Sequence, residues 1–180
     1  MMNLAKLFEI QMVLDAHIES KHPRQEGEDR ISKKILALLV EVGECANEAR
    51  FFKFWSNDQK PKTKALRMPT MMEEDKEYYN PTLEEFVDGL HFVLGLGIEI
   101  EFVSYSTLGY SPEADDLTDM FTLVYEMISR FKRYQSVFHY GILFDCYMTL
   151  GKMLGFTWEQ IEVAYYEKNQ INHLRQANGY

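Results

Sequence analysis

Apolar residues recur along most of this chain at steps of three and four, the spacing that lays one face of a helix against a core. No five-residue stretch alternates as a strand with a hairpin turn beside it. The pattern predicts a first helix from about Asn3 to Ser20, closed by Pro23 and a polar segment, and a second from about Arg30 to Phe54. A third is predicted from Thr82 to about Tyr105, and a fourth opening at Ser111-Pro112-Glu113, with serine as N-cap and proline in the first turn. The fifth spans roughly Val137 to Leu154, before Gly155. Thr157-x-x-Gln160 is a capping-box pattern that starts a sixth, which should fray near Asn178-Gly179. The fold class is therefore all-α, a bundle of about six helices in one domain over residues 1–180. The long irregular stretch is Ser56 to Pro81, basic at first and then acidic; a solvated connection and a lid or pocket edge both fit it.

Composition narrows the classes. At 46% apolar and 14% aromatic, the chain has enough to bury a full core, which excludes general disorder. A formal charge of −9 speaks against coating nucleic acid, which needs a dense basic face. It leaves room for an anionic substrate whose charge a metal or a local cationic cluster neutralises. Cys45 and Cys146 lie far apart in apolar runs and read as buried thiols of a reducing, cytoplasmic compartment. The most apolar run, Ile35 to Trp55, is broken by charged residues and is not a membrane span, and the first residues do not read as a signal peptide.

The sharpest chemical signal is acidic. In ILALLVEVGECANEARFFKFW, Glu41, Glu44 and Glu48 fall along one stripe, flanked by Leu38, Val42, Cys45 and Ala49. In EEFVDGLHF, Glu85 and Asp88 repeat the i, i+3 pair on an otherwise apolar helix. Carboxylates are costly to bury unless paired or metal-bound. Two inward-facing pairs supply four hard oxygen ligands, a set that suits Mg²⁺ with waters and substrate phosphates completing the shell. A salt-bridged acidic edge is the plainer alternative. For Glu85, so is a capping box with Thr82, although that leaves Asp88 unexplained. A di-iron bundle needs two Glu-x-x-His pairs, and only Glu19-x-x-His22 is present, at a helix end. Gln11 interrupts the apolar stripe of Leu4, Leu7, Leu14 and Ile18. A buried amide there is either a satisfied core glutamine or a reader of a base edge. The last segment sets Lys168, Asn169, Asn172, His173 and Arg175 among aromatics, which suits phosphate and sugar, or simply a polar terminal helix.

These motifs resemble the dimeric, all-α dUTPases of some Gram-positive bacteria, their phages and trypanosomatids, within the wider all-α nucleoside-triphosphate pyrophosphohydrolases. The resemblance is carried by LFEIQ at Gln11, EVGE-x-x-NE, FKFWS, EEFVDGLHF and YYEKNQINHLRQANGY, in the family's order and across nearly the whole chain. It implies a homodimer hydrolysing dUTP to dUMP and pyrophosphate. Glu41, Glu44, Glu85 and Asp88 would be the Mg²⁺ ligands, with Glu48 an additional acid, and Glu41 or Glu44 would orient or deprotonate the attacking water. Gln11, His91 and Phe92 would line a uracil pocket closed by Trp55. Lys53, Lys168 and Arg175 would meet phosphates, and Asn172 and Tyr180 would hold sugar or phosphate. The alternatives are a pyrophosphohydrolase for another nucleotide, such as dCTP, and a non-catalytic helical interaction protein.

Overall fold

The computed structural model describes residues 4–70, 72–102 and 107–179. Among them are six α-helices, as the periodicity predicts: α1 Leu4–Lys21, α2 Arg30–Ala49, α3 Pro81–Glu99, α4 Leu117–Tyr134, α5 Val137–Met153 and α6 Trp158–Ala177. Asn3 and Tyr105, the outer bounds expected for α1 and α3, lie outside the described residues. No helix here is long and apolar enough to cross a membrane.

The third helix is the axis of the bundle. It is apolar nearly all round, burying Phe86, Val87, Leu90, Val93, Leu94 and Leu96, as a helix enclosed by others must. α2 packs along it most extensively, α1 and α6 also lie on it, and the α4–α5 pair closes the bundle through α2 and α3. Two tyrosines of α5 reach the α3 backbone: Tyr147 Oη donates to the Phe86 carbonyl at 2.7 Å and Tyr140 Oη to that of Val93 at 3.0 Å. Glycine makes the first approach possible. A Cβ on Gly89 would stand 2.1 Å from the Tyr147 hydroxyl and 3.5 Å from the Glu41 Cβ.

Four boundaries differ from the periodic reading, three where a tertiary contact outcompetes helix continuation and one, the start of α3, where a local cap decides. α2 stops at Ala49 instead of Phe54. Arg50 turns left-handed at φ 62°, and Phe51 swings back to stack on Phe121 at 5.3 Å. The last α2 carbonyls are satisfied without further helix: Glu48 O accepts from Lys62 N–H at 3.0 Å and Asn47 O from Lys53 Nζ at 3.0 Å. α3 ends at Glu99, where the chain reverses through Glu101 (φ 55°) to bury Phe102 against Phe8 and Tyr140. Its start is Pro81, capped by Asn80, whose side chain accepts from Leu83 N–H at 3.1 Å. The cap is therefore not Thr82, and Glu85 is released from the capping box. α4 opens at Leu117 under an Asp116 cap and not at Ser111, because the preceding loop is pinned elsewhere, with Tyr110 N–H bonded to the buried Asp145 carboxylate at 2.8 Å. The capping box of α6 forms between Thr157 and Gln160 as expected.

The stretch from Ser56 to Pro81 contains a small antiparallel pair, Ala65–Leu66 with Tyr78–Tyr79, which alternation too short to register in the sequence could not announce. The stretch is anchored beside the acidic helices. Thr82 N–H and Oγ1 both donate to the Lys62 carbonyl, at 3.2 and 2.9 Å, so Lys62 ties the end of α2 to the start of α3.

Candidate functional site

The antiparallel packing of α2 on α3 brings three predicted acids together. Carboxylate oxygens of Glu41, Glu44 and Glu85 lie within 4.8 Å of one another, a group able to hold a metal ion. Hard, anionic oxygens in this number suit a divalent cation. Their electrostatics fit the same role. Burial, with Asp88 and Glu44 nearby, pushes the Glu41 carboxyl up to about 7. Burial, with Asp88, Glu44 and Glu41, does the same to Glu85, also to about 7. Like charges crowded in a half-buried site resist joint ionisation, and a cation relieves that repulsion.

Asp88 and Glu48 sit at the margin of this cluster with cationic partners. Asp88 Oδ2 is 2.5 Å from Lys168 Nζ, which also bonds Glu84 Oε1 at 3.1 Å. Burial raises the Asp88 carboxyl above its ordinary range, against the pull of Lys168. Burial disfavours the Lys168 ammonium, but Asp88 and Glu84 outweigh it and its pKa rises. Glu48 pairs with Lys62 at 3.0 Å.

Beside the cluster opens a cleft of about 490 Å³, between α1, α2, α3 and the end of α6. Glu41 and Asp88 form one end of it, Gln11, His91 and Phe92 line it, and Asn172 and Arg175 approach from α6. Gln11 is buried, and its amide is nearly saturated: Oε1 accepts from Tyr165 Oη at 2.6 Å and faces His91 Nδ1 at 2.8 Å, while Nε2 donates to Asp15 Oδ1 at 2.7 Å. His91 stacks on Tyr165 with ring centroids 4.1 Å apart, and burial, helped by Lys168, holds its imidazole neutral with a pKa of about 3.

Three expected residues stand apart from this cleft, one of them Lys168, which lines a neighbouring hollow with Glu84 and Tyr79. Trp55 is 64% exposed in an edge-to-face cluster with Phe52 and Phe54, and does not line it. Lys53 is occupied with the side chain and carbonyl of Asn47. Tyr180 lies outside the described residues. Conversely, the cleft is lined by Asp15 and by Arg30, Lys33 and Lys34 at the start of α2, none of them expected. Lys34 stands seven residues before Glu41, on the same helical stripe, a spacing that could have flagged it. Each of these cations already has an acidic partner: Lys34 bonds Asp15 at 2.8 Å and Glu99 at 3.0 Å, Lys33 bonds Glu28 at 2.7 Å, and Arg30 bonds Glu19 at 2.8 Å.

An acid cluster beside an apolar-walled cleft, with cations from the start of α2 and the end of α6, describes a site for a metal-complexed anion. The model of one protein family, described as dUTPase, matches residues 3–69 and 72–180. The chain belongs to the dUTPase family. No curated protein and no solved structure matches it. Membership makes the protein a hydrolase acting on dUTP, a dUTP pyrophosphatase, and the all-α architecture agrees with that family. Members of the dUTPase family generally use a divalent metal, and the Glu41–Glu44–Glu85 group offers this chain a place for one.

Proposed function

We propose that the cleft binds dUTP with its base toward Gln11 and His91 and its triphosphate toward Glu41, Glu44 and Glu85, and that the metal is Mg²⁺. The observation that carries this reading is the junction at Glu41, which belongs to a group of three carboxylates within 4.8 Å of one another and also lines a 490 Å³ cleft sized for a nucleotide. Glu41, Glu44 and Glu85 hold the cation, with Asp88 and Glu48 completing the acidic surround. The chemistry that a bound Mg²⁺ supplies is neutralisation of phosphate charge and acidification of a water.

The remaining work falls to the chain's own groups. Glu41 takes or orients the proton of the attacking water, a role that Glu44 shares by position. Lys168 fixes Asp88 and Glu84 and sets a buried ammonium beside the acids that face the phosphates. Arg175, on the last turn of α6, meets the leaving pyrophosphate, and Asn172 the sugar. Leu14, Ile18 and Phe92 supply apolar wall against the base, which excludes water around the reacting charges. In this reading Lys53 and Trp55 reach a nucleotide only when chain segments outside this cleft close over it or come from a second subunit. A homodimer supplies that second subunit, and the two buried, free cysteines fit a cytoplasmic setting.

A nucleotide panel tests the reading. Pyrophosphate release from dUTP is expected in Mg²⁺ and not in excess chelator, with dCTP and dTTP turned over at least a hundredfold more slowly, about 2.7 kcal/mol in transition-state binding. Equal rates with and without metal, or preference for dCTP, overturn it.

A further inference from the structure

The groups at the base end of the cleft form one continuous polar chain that begins well outside it. Arg24 Nη2 bonds Glu99 Oε1 at 2.9 Å, and Glu99 bonds Lys34 Nζ at 3.0 Å. Lys34 Nζ bonds Asp15 Oδ2 at 2.8 Å, and Asp15 Oδ1 accepts from Gln11 Nε2 at 2.7 Å. Gln11 Oε1 then meets both Tyr165 Oη and His91 Nδ1. Only one assignment of hydrogens satisfies every link. An ionised Asp15 accepts and cannot donate, so Gln11 must turn its NH₂ toward it and its carbonyl toward the ring. That carbonyl accepts only, so His91 must carry its single proton on Nδ1. Nε2 is left as a bare acceptor, and it is buried without a partner.

We propose that Asp15, held by Lys34, is a specificity-determining positioning residue: it fixes the orientation of the Gln11 amide and, through it, the tautomer of His91. The inference rests on the reading that the base binds at Gln11 and His91, and adds what sets their hydrogen-bonding sense. The consequence is a fixed pattern at the base end. His91 Nε2 accepts, and the second Nε2 hydrogen of Gln11, unused by Asp15, donates. Uracil offers an N3–H donor beside carbonyl acceptors and complements this pair. Cytosine offers an N3 acceptor beside an amino donor and meets it acceptor to acceptor and donor to donor. A site whose buried groups are left unpaired by the wrong base rejects it strongly.

Asp15→Asn is the informative change, since it keeps the shape and adds a donor. The asparagine amide can turn its NH₂ toward Gln11. The Gln11 amide then flips, its own NH₂ faces His91 Nδ1, and the imidazole proton moves to Nε2. The site becomes a donor where cytosine accepts. Nitrogen-15 NMR of histidine-labelled protein, free of metal and nucleotide and with the His91 signal assigned by its loss in His91→Asn, is expected to show the Nδ1–H tautomer in the wild type. In Asp15→Asn it is expected to show substantial Nε2–H form. The kcat/KM for dCTP should rise while that for dUTP falls, lowering their ratio at least tenfold; mere loosening of the fold lowers both. Lys34→Gln, which releases the other Asp15 oxygen, should lower the ratio at least threefold and keeps the test available if Asp15→Asn does not fold. An Nε2–H tautomer in the wild type, or a dUTP:dCTP ratio within twofold of wild type in both variants, overturns the proposal. Should the wild type show no preference for dUTP over dCTP, the base-pocket reading fails instead, and the tautomer measurements still decide what Asp15 does.

Discussion

Glu41 and Glu85 have the clearest consequences at the scale of single residues, because their environment opposes their charge. Both carboxyls are raised from 4.5 to about 7, chiefly by burial. Below pH 4.5 folded and unfolded chains are alike protonated. Between 4.5 and 7 the unfolded chain releases protons that the folded chain keeps, so stability falls as pH rises through that window. The melting temperature of the metal-free protein should therefore drop between pH 5 and 7.5. The stabilisation given by added Mg²⁺ should be larger at pH 7.5 than at pH 5.5, because binding must displace the retained protons. Scanning calorimetry at both pH values with and without metal checks this; a metal effect independent of pH contradicts it. Glu44→Gln removes one ligand charge and relieves part of the same repulsion. It should abolish turnover while leaving the metal-free melting temperature equal or higher, and activity within threefold of wild type at saturating Mg²⁺ removes Glu44 from the site. The sequence marked these acids by their spacing on apolar helices. It could not show that Asp88 would be taken up by Lys168, 80 residues on, because that pairing depends on how α6 lies across α3.

Among the elements, α3 decides how close its neighbours come. Gly89 admits the Tyr147 hydroxyl to the α3 backbone beside the residue that follows Glu85 by one turn. Gly89→Ala should cost about 1–3 kcal/mol through overpacking. Combined with Tyr147→Phe, which removes the clashing oxygen, it should cost less than the sum of the two single changes; additive costs by chemical denaturation would show that the clash is relieved elsewhere. α6 is the second decisive element. Its last turn carries Arg175 and Gln176 into the cleft lining, and α1 and α3 are the helices it packs on most. Deletion of the residues after His173 should cost at least tenfold in kcat/KM, about 1.4 kcal/mol, with little change in melting temperature. A fully active truncated enzyme assigns this turn no part in binding. Helix starts are legible where a capping side chain stands just ahead of an apolar run, as at Thr157. Helix ends were less legible. α2 and α3 both stop in sequence that could remain helical, because Phe51 and Phe102 are more stable turned into the core.

For the whole molecule, the exposed apolar side chains are the open account. Met12 and Val13 on α1, Leu36 and Val40 on α2, and the Phe54–Trp55 corner are all substantially exposed. A second copy related by a two-fold axis is the commonest way such surface is covered. Light scattering is expected to return twice the chain mass at micromolar concentration, and a value of one chain mass contradicts the homodimer.

Local pattern settled what depends on neighbours a few residues apart. The six helices, the capping box of α6, the acidic stripe of α2 and the acid pair on α3 are all consequences of helical periodicity acting on residue type. Contacts distant in sequence decided the rest. Asp15 and Tyr165 carry no local signal of function, since each is an ordinary residue on an amphipathic helix, and Lys34 carries only its place on the Glu41 stripe. Only the packing of α1, α2, α3 and α6 joins them through Gln11 to His91. Likewise the tie from Lys62 to Glu48 and Thr82 exists because a long connection folds back over two helix ends. A hydrogen bond is specified by where donor and acceptor meet, and periodicity fixes only the face on which each one starts.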